Sequence, residues 1–599
     1  HPRVRRQRQM CIRDSSAAVF RGRNSYLRFT LPLLWGIIRD MEMQLLTPTE
    51  IWEGFNPVKE GTETSIISSR ENDNVVTTDV FFTSEKTESG RVRVFARISY
   101  DSRWRDARPA VLILPSLDAS RRFEDVTGSL VKEGYVVCLC DYAGNFGGTE
   151  DKPHTTYPDE LAYAAAPACE KNMYRVVTTA RETPWFQWAK VARRAITMIA
   201  ELRYVDAERI GVIGMEAGAQ IAWQVAGMDG RVRALVPVNG GGYLWRRNVS
   251  RFEGNTLPAD DEERAFSAGV GAETYARFVS CPTCYIVSSN SVYTDIDRAG
   301  DILSLVPAKS KIMMTVRGSA EQVSVSVYNS LIAWMRKNFA HDSEPVMPPS
   351  VSFRADENTL YLQLKCPSST VAVDAYYSTG EAVSFARYWV HLEDAQQVGE
   401  NEYVYMVPVT DPDALTFAFA SVRSDDGIIA SSPVEAARPS ELGMSRKKSL
   451  PAGGGRIVYS GEMGTGLFWV TTKDFFLDDS VLGTAKGPFG IKGICTTKGN
   501  LMLCRSTQAE FACDKSAILQ MDVSSETDRT ITFAFLSYPD RITYRCTVNV
   551  KGGDFWQKVR IVAADCKSEE GRPLSKFGVC KLMTVTDAEN VLFNNIVWI

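Results

Sequence analysis

Arg209-Ile-Gly-Val-Ile-Gly-Met-Glu-Ala-Gly-Ala-Gln220 decides how this chain is read. It has the pattern of a buried strand, a tight turn and the start of a helix. Gly214-Met-Glu-Ala-Gly218 keeps the spacing Gly-x-Ser-x-Gly, in which a strained strand-to-helix turn displays a nucleophile. Glycine at both ends keeps side chains clear of the neighbouring strand and helix. The middle residue, however, is Glu216 where a serine would stand.

Outward from this stretch, strands alternate with helices. Ala110-Val-Leu-Ile-Leu-Pro115 and Tyr135-Val-Val-Cys-Leu-Cys140 are continuous apolar runs, as expected for strands buried on both faces of a parallel sheet. Arg91–Tyr100 alternates polar and apolar residues, and Val80–Thr83 is a further strand. Residues 41–75 are read as a polar lead-in. Helices are expected at about 121–133, 184–203, 217–228 and 320–338, with a polar helical insertion at about 259–278. In the second of these, Trp188, Ala192, Ala195, Ile199 and Leu202 make one apolar face, and Pro184 suits its first turn. Arg233–Val238, Thr283–Ser288 and Lys311–Val316 complete the strands. This rhythm predicts a doubly wound, mostly parallel α/β sheet.

The phrases Leu112-Ile-Leu-Pro115, Asp141-Tyr-Ala-Gly144, Val205-Asp-Ala-Glu-Arg-Ile-Gly-Val-Ile-Gly214 and Asp229-Gly-Arg-Val-Arg-Ala234 carry a family likeness. Residues 41–340 resemble the α/β-hydrolase superfamily, in its dienelactone hydrolase, acetyl xylan esterase and dipeptidyl-peptidase-like branches. The resemblance covers about half the chain and implies descent from ester or peptide hydrolases. It also implies a nucleophile, an acid and a His base, in that chain order, with two backbone N–H groups for the oxyanion.

Position by position, those roles are poorly filled. The nucleophile position holds Glu216. Ser288-Ser-Asn-Ser291 stands where the acid belongs, so Ser291 replaces it, and Asp295 and Asp297 follow as substitutes. The base should follow the last strand, but Val316–Glu321 has no His. The chain's four His are His1, His154, His341 and His391; only His154, on a loop at the carboxyl edge of the sheet, is placed to approach the site, with a solvated loop residue as the plainer reading. An elbow carboxylate can attack carbon and form an ester, but a His-activated water must then release it. Alternatively, Glu216 fills the oxyanion position itself and satisfies the Ala217 N–H at the helix start. The other oxyanion donor would come from Ser116 or Leu117. Gly241, Tyr243 and Trp245 are expected to line a pocket, and Trp185 and Trp188 to lie in the core or a lid.

Past a polar linker at 341–350, residues 351–438 lose helical periodicity and show short strands divided by turns, which suggests an immunoglobulin-like sandwich. After a second linker, residues 456–599 are again strand-like and resemble galactose-binding-like jelly rolls. That likeness offers Trp469 and Trp556 as sugar platforms, with core packing as the alternative, and places Trp598 in the core. Residues 1–40, in which Met10-Cys-Ile-Arg-Asp-Ser15 resembles translated adapter sequence, are expected to be a non-native leader, with Met41 or Met43 as the natural start.

Composition narrows the function. Net charge is −4, and −11 without the first 40 residues, so no nucleic-acid partner is expected. No stretch reaches the ~18–20 apolar residues of a membrane span, so no membrane partner is expected either. Thirteen scattered Cys follow no disulfide framework, and Cys281-Pro-Thr-Cys284 lacks a second pair for zinc. Free thiols favour a cytoplasmic protein, with secretion as the alternative. Asn248-Val-Ser250 fits a glycosylation sequon of the kind common by chance. No cofactor or metal is expected, and the oligomeric state is open. Three functions follow: a degenerate hydrolase that binds a small ligand, glycan or protein; an active carboxylic-ester hydrolase on acylated carbohydrate, using Glu216, His154 and Asp295 or Asp297; or a carbohydrate-binding protein acting through residues 456–599.

Overall fold

The computed structural model describes residues 43–118, 124–145, 152–246, 249–253, 259–319, 321–339, 344–449, 456–504 and 516–599. The proposed leader, His341 and Asn248 lie outside them. The first domain is built on strands β1 (Ser65–Asn72), β2 (Val75–Lys86), β3 (Arg91–Asp101), β4 (Arg108–Leu114), β5 (Val136–Asp141), β6 (Val205–Met215), β7 (Val232–Val238), β8 (Thr283–Ser288) and β9 (Lys311–Val316), followed by the two-residue β10 (Val323–Ser324). Its helices are α1 (Pro48–Ile51), α2 (Glu124–Lys132), α3 (Ala168–Asn172), α4 (Pro184–Ala200), α5 (Ala217–Met228), α6 (Asp261–Val270), α7 (Ala272–Tyr275), α8 (Ile296–Leu305) and α9 (Val325–Phe339).

The strands run in the order β1-β2-β3-β5-β4-β6-β7-β8-β9. From β5 to β9 every neighbour is parallel, and β1 to β3 form an antiparallel flank. Alternate residues of the central strands feed opposite faces. Leu112 and Leu114 pack with α4 and α5, while Val111 and Ile113 pack with α2 and α9. This is why the strands read as unbroken apolar runs rather than as alternations.

Two expectations are corrected. The lead-in is not only polar coil: β1 is a strand exposed along its whole length, paired to β2, and its lack of a buried face removed the period-2 signal. Helix α4 has no polar face. Trp185 through Ile199 are all buried; among them Arg193 pairs with Asp229 at 3.3 Å, Lys190 pairs with Glu85, and Arg194 donates to the carbonyls of Glu60 at 2.8 Å and Gly61 at 2.9 Å. Thr183 caps it through Phe186 N–H, and Pro184 opens it.

The hydrolase sheet does not stop at β9. Met313 of β9 pairs with Ser431, and the Thr315 N–H donates to the Ser431 hydroxyl at 2.9 Å. The sheet continues through strands Thr416–Ser424 and Thr370–Thr379 of the second domain. A second sheet, made of Ser350–Ala355, Leu360–Lys365, Glu402–Val407 and Gln396–Gly399, packs across it, with Leu360, Leu362 and Tyr405 meeting Ala375, Ala418 and Val422 in one core. The third domain is also two antiparallel sheets face to face, Leu519, Met521 and Phe593 against Ile531, Phe533 and Val585. No helix among the described residues is long and apolar enough to cross a membrane.

Candidate active site

The turn after β6 sits at the carboxyl ends of the parallel strands, where ligands bind in such sheets. Glu216 has φ 50° and ψ −106°, a strained conformation for a residue with a side chain. Glycines make room for it. A Cβ on Gly214 would lie 2.2 Å from the Gly218 carbonyl oxygen, and one on Gly218 would lie 2.0 Å from that of Leu114. A Cβ on Gly240 would lie 2.4 Å from the Glu216 carbonyl oxygen. The Glu216 N–H donates to Val238 O at 2.8 Å. Its side chain makes no N-cap hydrogen bond to α5. The charge is felt by the buried Tyr142 phenol, which burial first and Glu216 next push well above its ordinary pKa.

The oxyanion side is built from the turn after β4. Tyr142 donates its hydroxyl to Pro115 O and Asn145 donates Nδ2–H to Leu117 O, each at 2.6 Å. Ser116 is buried, and its hydroxyl has no hydrogen-bond partner among the described residues. The loop after β5 is fixed by Asp141, which accepts N–H bonds from Gly144, Asn145 and Thr155 at 2.8–3.0 Å. His154 precedes Thr155. Its Nδ1 lies 2.8 Å from the carbonyl of Lys152 in its own loop rather than against a carboxylate.

The stretch after β8 forms a joint with the second domain. Beyond β8, Asn290 donates Nδ2–H to Phe385 O at 3.0 Å and Arg387 O at 2.8 Å in the second domain. The Ser291 hydroxyl accepts from Tyr293 and Thr294 N–H, each at 3.2 Å. Asp295 caps α8 by accepting from Asp297 N–H at 3.1 Å, and Arg298 lies 3.4 Å away. Burial, then the neighbouring Asp297 charge, pushes the Asp295 carboxyl up to about 6. Asp297 is fully buried in a two-point ion pair with Arg387. Asp297 thus ties the first domain to the second.

The stretch after β9 is likewise tied to its neighbours. After β9, Gly318 N–H donates to the Ser289 hydroxyl at 2.9 Å. Asn239, held at φ 51°, donates Nδ2–H to Glu321 O at 3.0 Å. Gln322 then donates Nε2–H to Thr472 O at 2.9 Å and to the Thr471 hydroxyl at 3.2 Å, and β10 pairs in parallel with Phe476–Leu477 of the third domain. Arg387, Asn290 and Gln322 were not singled out from sequence. The signal in reach was a run of short polar side chains where the triad should be, together with an arginine inside the aromatic stretch Phe385–Trp389.

Tyr243 and Trp245 line a cavity of about 340 Å³ with Arg246, Glu263, Arg264 and Glu273. Glu273 accepts the Tyr243 N–H at 3.0 Å, and burial raises its carboxyl. Gly241 belongs instead to the packing behind that cavity, since a Cβ there would lie 2.2 Å from the Tyr285 hydroxyl. Trp469 is buried with Phe385, Met502 and Leu582 and offers no sugar platform. Trp556 is half-buried, donating to Pro488 O at 3.1 Å, and Trp598 is in the core. His391 pairs with Asp374 in the second domain. Among the described residues no cluster of three or more His, Cys, Asp or Glu could hold a metal.

Residues 96–261 match the dienelactone hydrolase family. No curated protein matches the sequence. Solved structures similar to the chain include acetyl xylan esterase 1 from Thermoanaerobacterium sp., at 13% identity over 52% of this chain and 100% of that one, TM-score 0.38. An acetyl xylan esterase from Paenibacillus sp. is similar at 11% identity over 51% and 99%, TM-score 0.37. A glucuronoyl esterase from Solibacter usitatus is similar at 10% identity over 52% and 99%, TM-score 0.33. With its strand order and its elbow between β6 and α5, the first domain has the α/β-hydrolase fold, and residues 96–261 within it are similar to dienelactone hydrolases.

Proposed function

We propose that this protein is an esterase-lineage hydrolase fold that binds a small polar ligand or glycan and does not hydrolyse it. One observation carries the reading: the loop that would bear the base is bound to the third domain through Gln322 and β10. A base there would have to reach back over the elbow, and general-base catalysis needs heavy atoms within about 3 Å. The acid loop is held in the same way by Arg387. The cavity beside Tyr243 and Trp245 is the ligand site on this reading, because it combines aromatic with charged walls. The test is a screen of short-chain aryl esters against the wild type and Glu216→Ala. A silent wild type is expected. Turnover by the wild type that disappears in Glu216→Ala overturns the proposal.

A second reading, carbohydrate binding by the third domain, is favoured by Phe489. This side chain is 89% exposed at a hairpin tip, one residue from the Pro488 carbonyl that Trp556 bonds. Affinity electrophoresis in a gel containing soluble xylan tests it. Retardation by the wild type that is lost in Phe489→Ala supports it, and equal mobility with and without polysaccharide rejects it.

A further inference from the structure

The third domain is open along one side. Strand Thr543–Val550 is the edge of one of its sheets and strand Gln557–Val562 is the edge of the other. After the second strand the chain makes one turn, Ala563–Asp565, and runs back beside the first. There Arg545 and Lys567 are antiparallel partners, and each donates its N–H to the other's carbonyl at 2.8 Å. In an antiparallel ladder, a pair that exchanges both bonds is flanked by pairs that exchange none. Such flanking residues sit about 4.5 Å apart at Cα, with side chains on the same face.

The flanking pair is Cys546 and Cys566. The backbone around them agrees with this assignment. The Cys566 N–H donates to Ala563 O at 3.0 Å and its carbonyl accepts from Leu574 N–H at 2.8 Å, so neither group is turned toward Cys546. Cys566 is part of the domain's core and Cys546 packs against that core, so both thiols are on the inner face. The Cys566 thiol donates to Val562 O at 3.8 Å, at the end of the preceding strand. A disulfide needs Cα atoms about 4.4–6.8 Å apart, and this register supplies that separation without moving either strand.

We propose that Cys546 and Cys566 are a reactive thiol pair that oxidises to a disulfide and ties strand Thr543–Val550 to the segment that follows strand Gln557–Val562. The oxidant is a low-molecular-weight disulfide. Cys546, half-buried where Cys566 is buried, is the thiol it reaches first. The Cys546 thiolate attacks one sulfur of the reagent, and one small thiol leaves. The Cys566 thiolate then attacks the Cys546 sulfur of the mixed disulfide, and the second small thiol leaves. Two protons and two electrons pass from the protein to the reagent, which ends as two thiols. The neighbouring Cys566 thiol lowers the pKa of Cys546, which makes Cys546 the attacking group, while the pKa of Cys566 is raised. Cys138, Cys284 and Cys504 are a different case. Each is fully buried, and burial pushes its thiol up and away from reaction.

The test uses the full chain equilibrated with mixtures of reduced and oxidised glutathione, then alkylated, digested and analysed by mass spectrometry beside thermal melts. Expected are a linked peptide joining Cys546 to Cys566, the loss of two titratable thiols, and a melting temperature about 5 °C above that of the reduced protein, because the link closes a loop in the unfolded chain. Cys546→Ser should lose the link and the shift. Cys566→Ala, a second variant with a different packing change, should instead keep a glutathione adduct on Cys546. A stable adduct on Cys546 in the wild type, a link from either residue to Cys580, or no oxidation in oxidised glutathione alone overturns the proposal.

Discussion

Arg387 of the second domain holds Asp297 of the hydrolase domain through two hydrogen bonds, with Nη2 2.7 Å from Oδ2 and neither side chain in contact with solvent. The same guanidinium donates to Glu381 O and Ala382 O, each at 2.9 Å, and lies 3.5 Å over the Phe417 ring. A buried pair of this kind adds little net stability, but breaking one half strands the other charge. Asp297→Ala should therefore cost about 3–5 kcal/mol, whereas Asp297→Leu combined with Arg387→Met should cost far less. Urea unfolding followed by tryptophan fluorescence measures both. A single-variant loss under about 1 kcal/mol would show that the joint is held by something else.

Asp295 gives a pH dependence of defined sign. Its carboxyl rises from the usual 3.8 to about 6 in the folded chain. Between those values the folded state keeps a proton that the unfolded state has released. Stability therefore falls as pH rises from about 4 to 6 and stays lower above that range. Asp295→Asn keeps the oxygen that caps α8 and removes the charge. It should be more stable than the wild type by about 2 kcal/mol at pH 7 and no more stable at pH 4. Chemical denaturation at both pH values separates this from a general packing effect, which would not vary with pH.

The elbow glycines answer to sterics rather than to chemistry. Because a Cβ on Gly218 would meet the Leu114 carbonyl at 2.0 Å, Gly218→Ala must push α5 away from β4. A loss above about 3 kcal/mol, or failure to accumulate as soluble protein, is expected. Gly230→Ala, with nothing within 4 Å of the added carbon, is the control and should change stability by less than about 1 kcal/mol.

Restoring the hydroxyl should not restore an enzyme. Glu216→Ser recreates the motif, but the residues where the acid and the base would stand are engaged with Arg387 and with Thr471 and Thr472. Hydrolysis of p-nitrophenyl acetate by this variant should stay within about twofold of the wild type. A hundredfold rise, about 2.7 kcal/mol of barrier, would reveal a base within reach of residue 216.

The hydrolase domain was legible because its core strands are buried on both faces and its turn demands glycine, so Ala110–Leu114 and Gly214–Gly218 show their constraints in composition alone. Strand β1 was not legible, since an exposed strand with no buried face has no period. Nor were the joints. Asn290, Gln322 and Arg387 act through partners about a hundred residues or more away, and local spacing contains no trace of such distances. The substituted elbow could be read directly at Glu216. The contacts that the loops after β8 and β9 make with the neighbouring domains could not, because a missing His leaves no mark of what stands in its place.

The pairing of Met313 with Ser431 also bears on how the molecule can be cut. A parallel sheet ending at β9 would present a bare row of amide and carbonyl groups to any passing strand, the template on which chains stack into aggregates. Here the second domain occupies that border, while Trp389, Phe417 and Phe419 sit in the same apolar mass as α4 and α5. A fragment ending after α9 should thus be sticky and poorly soluble even though all nine strands of the hydrolase sheet are intact. The second domain serves as the selvedge of the first.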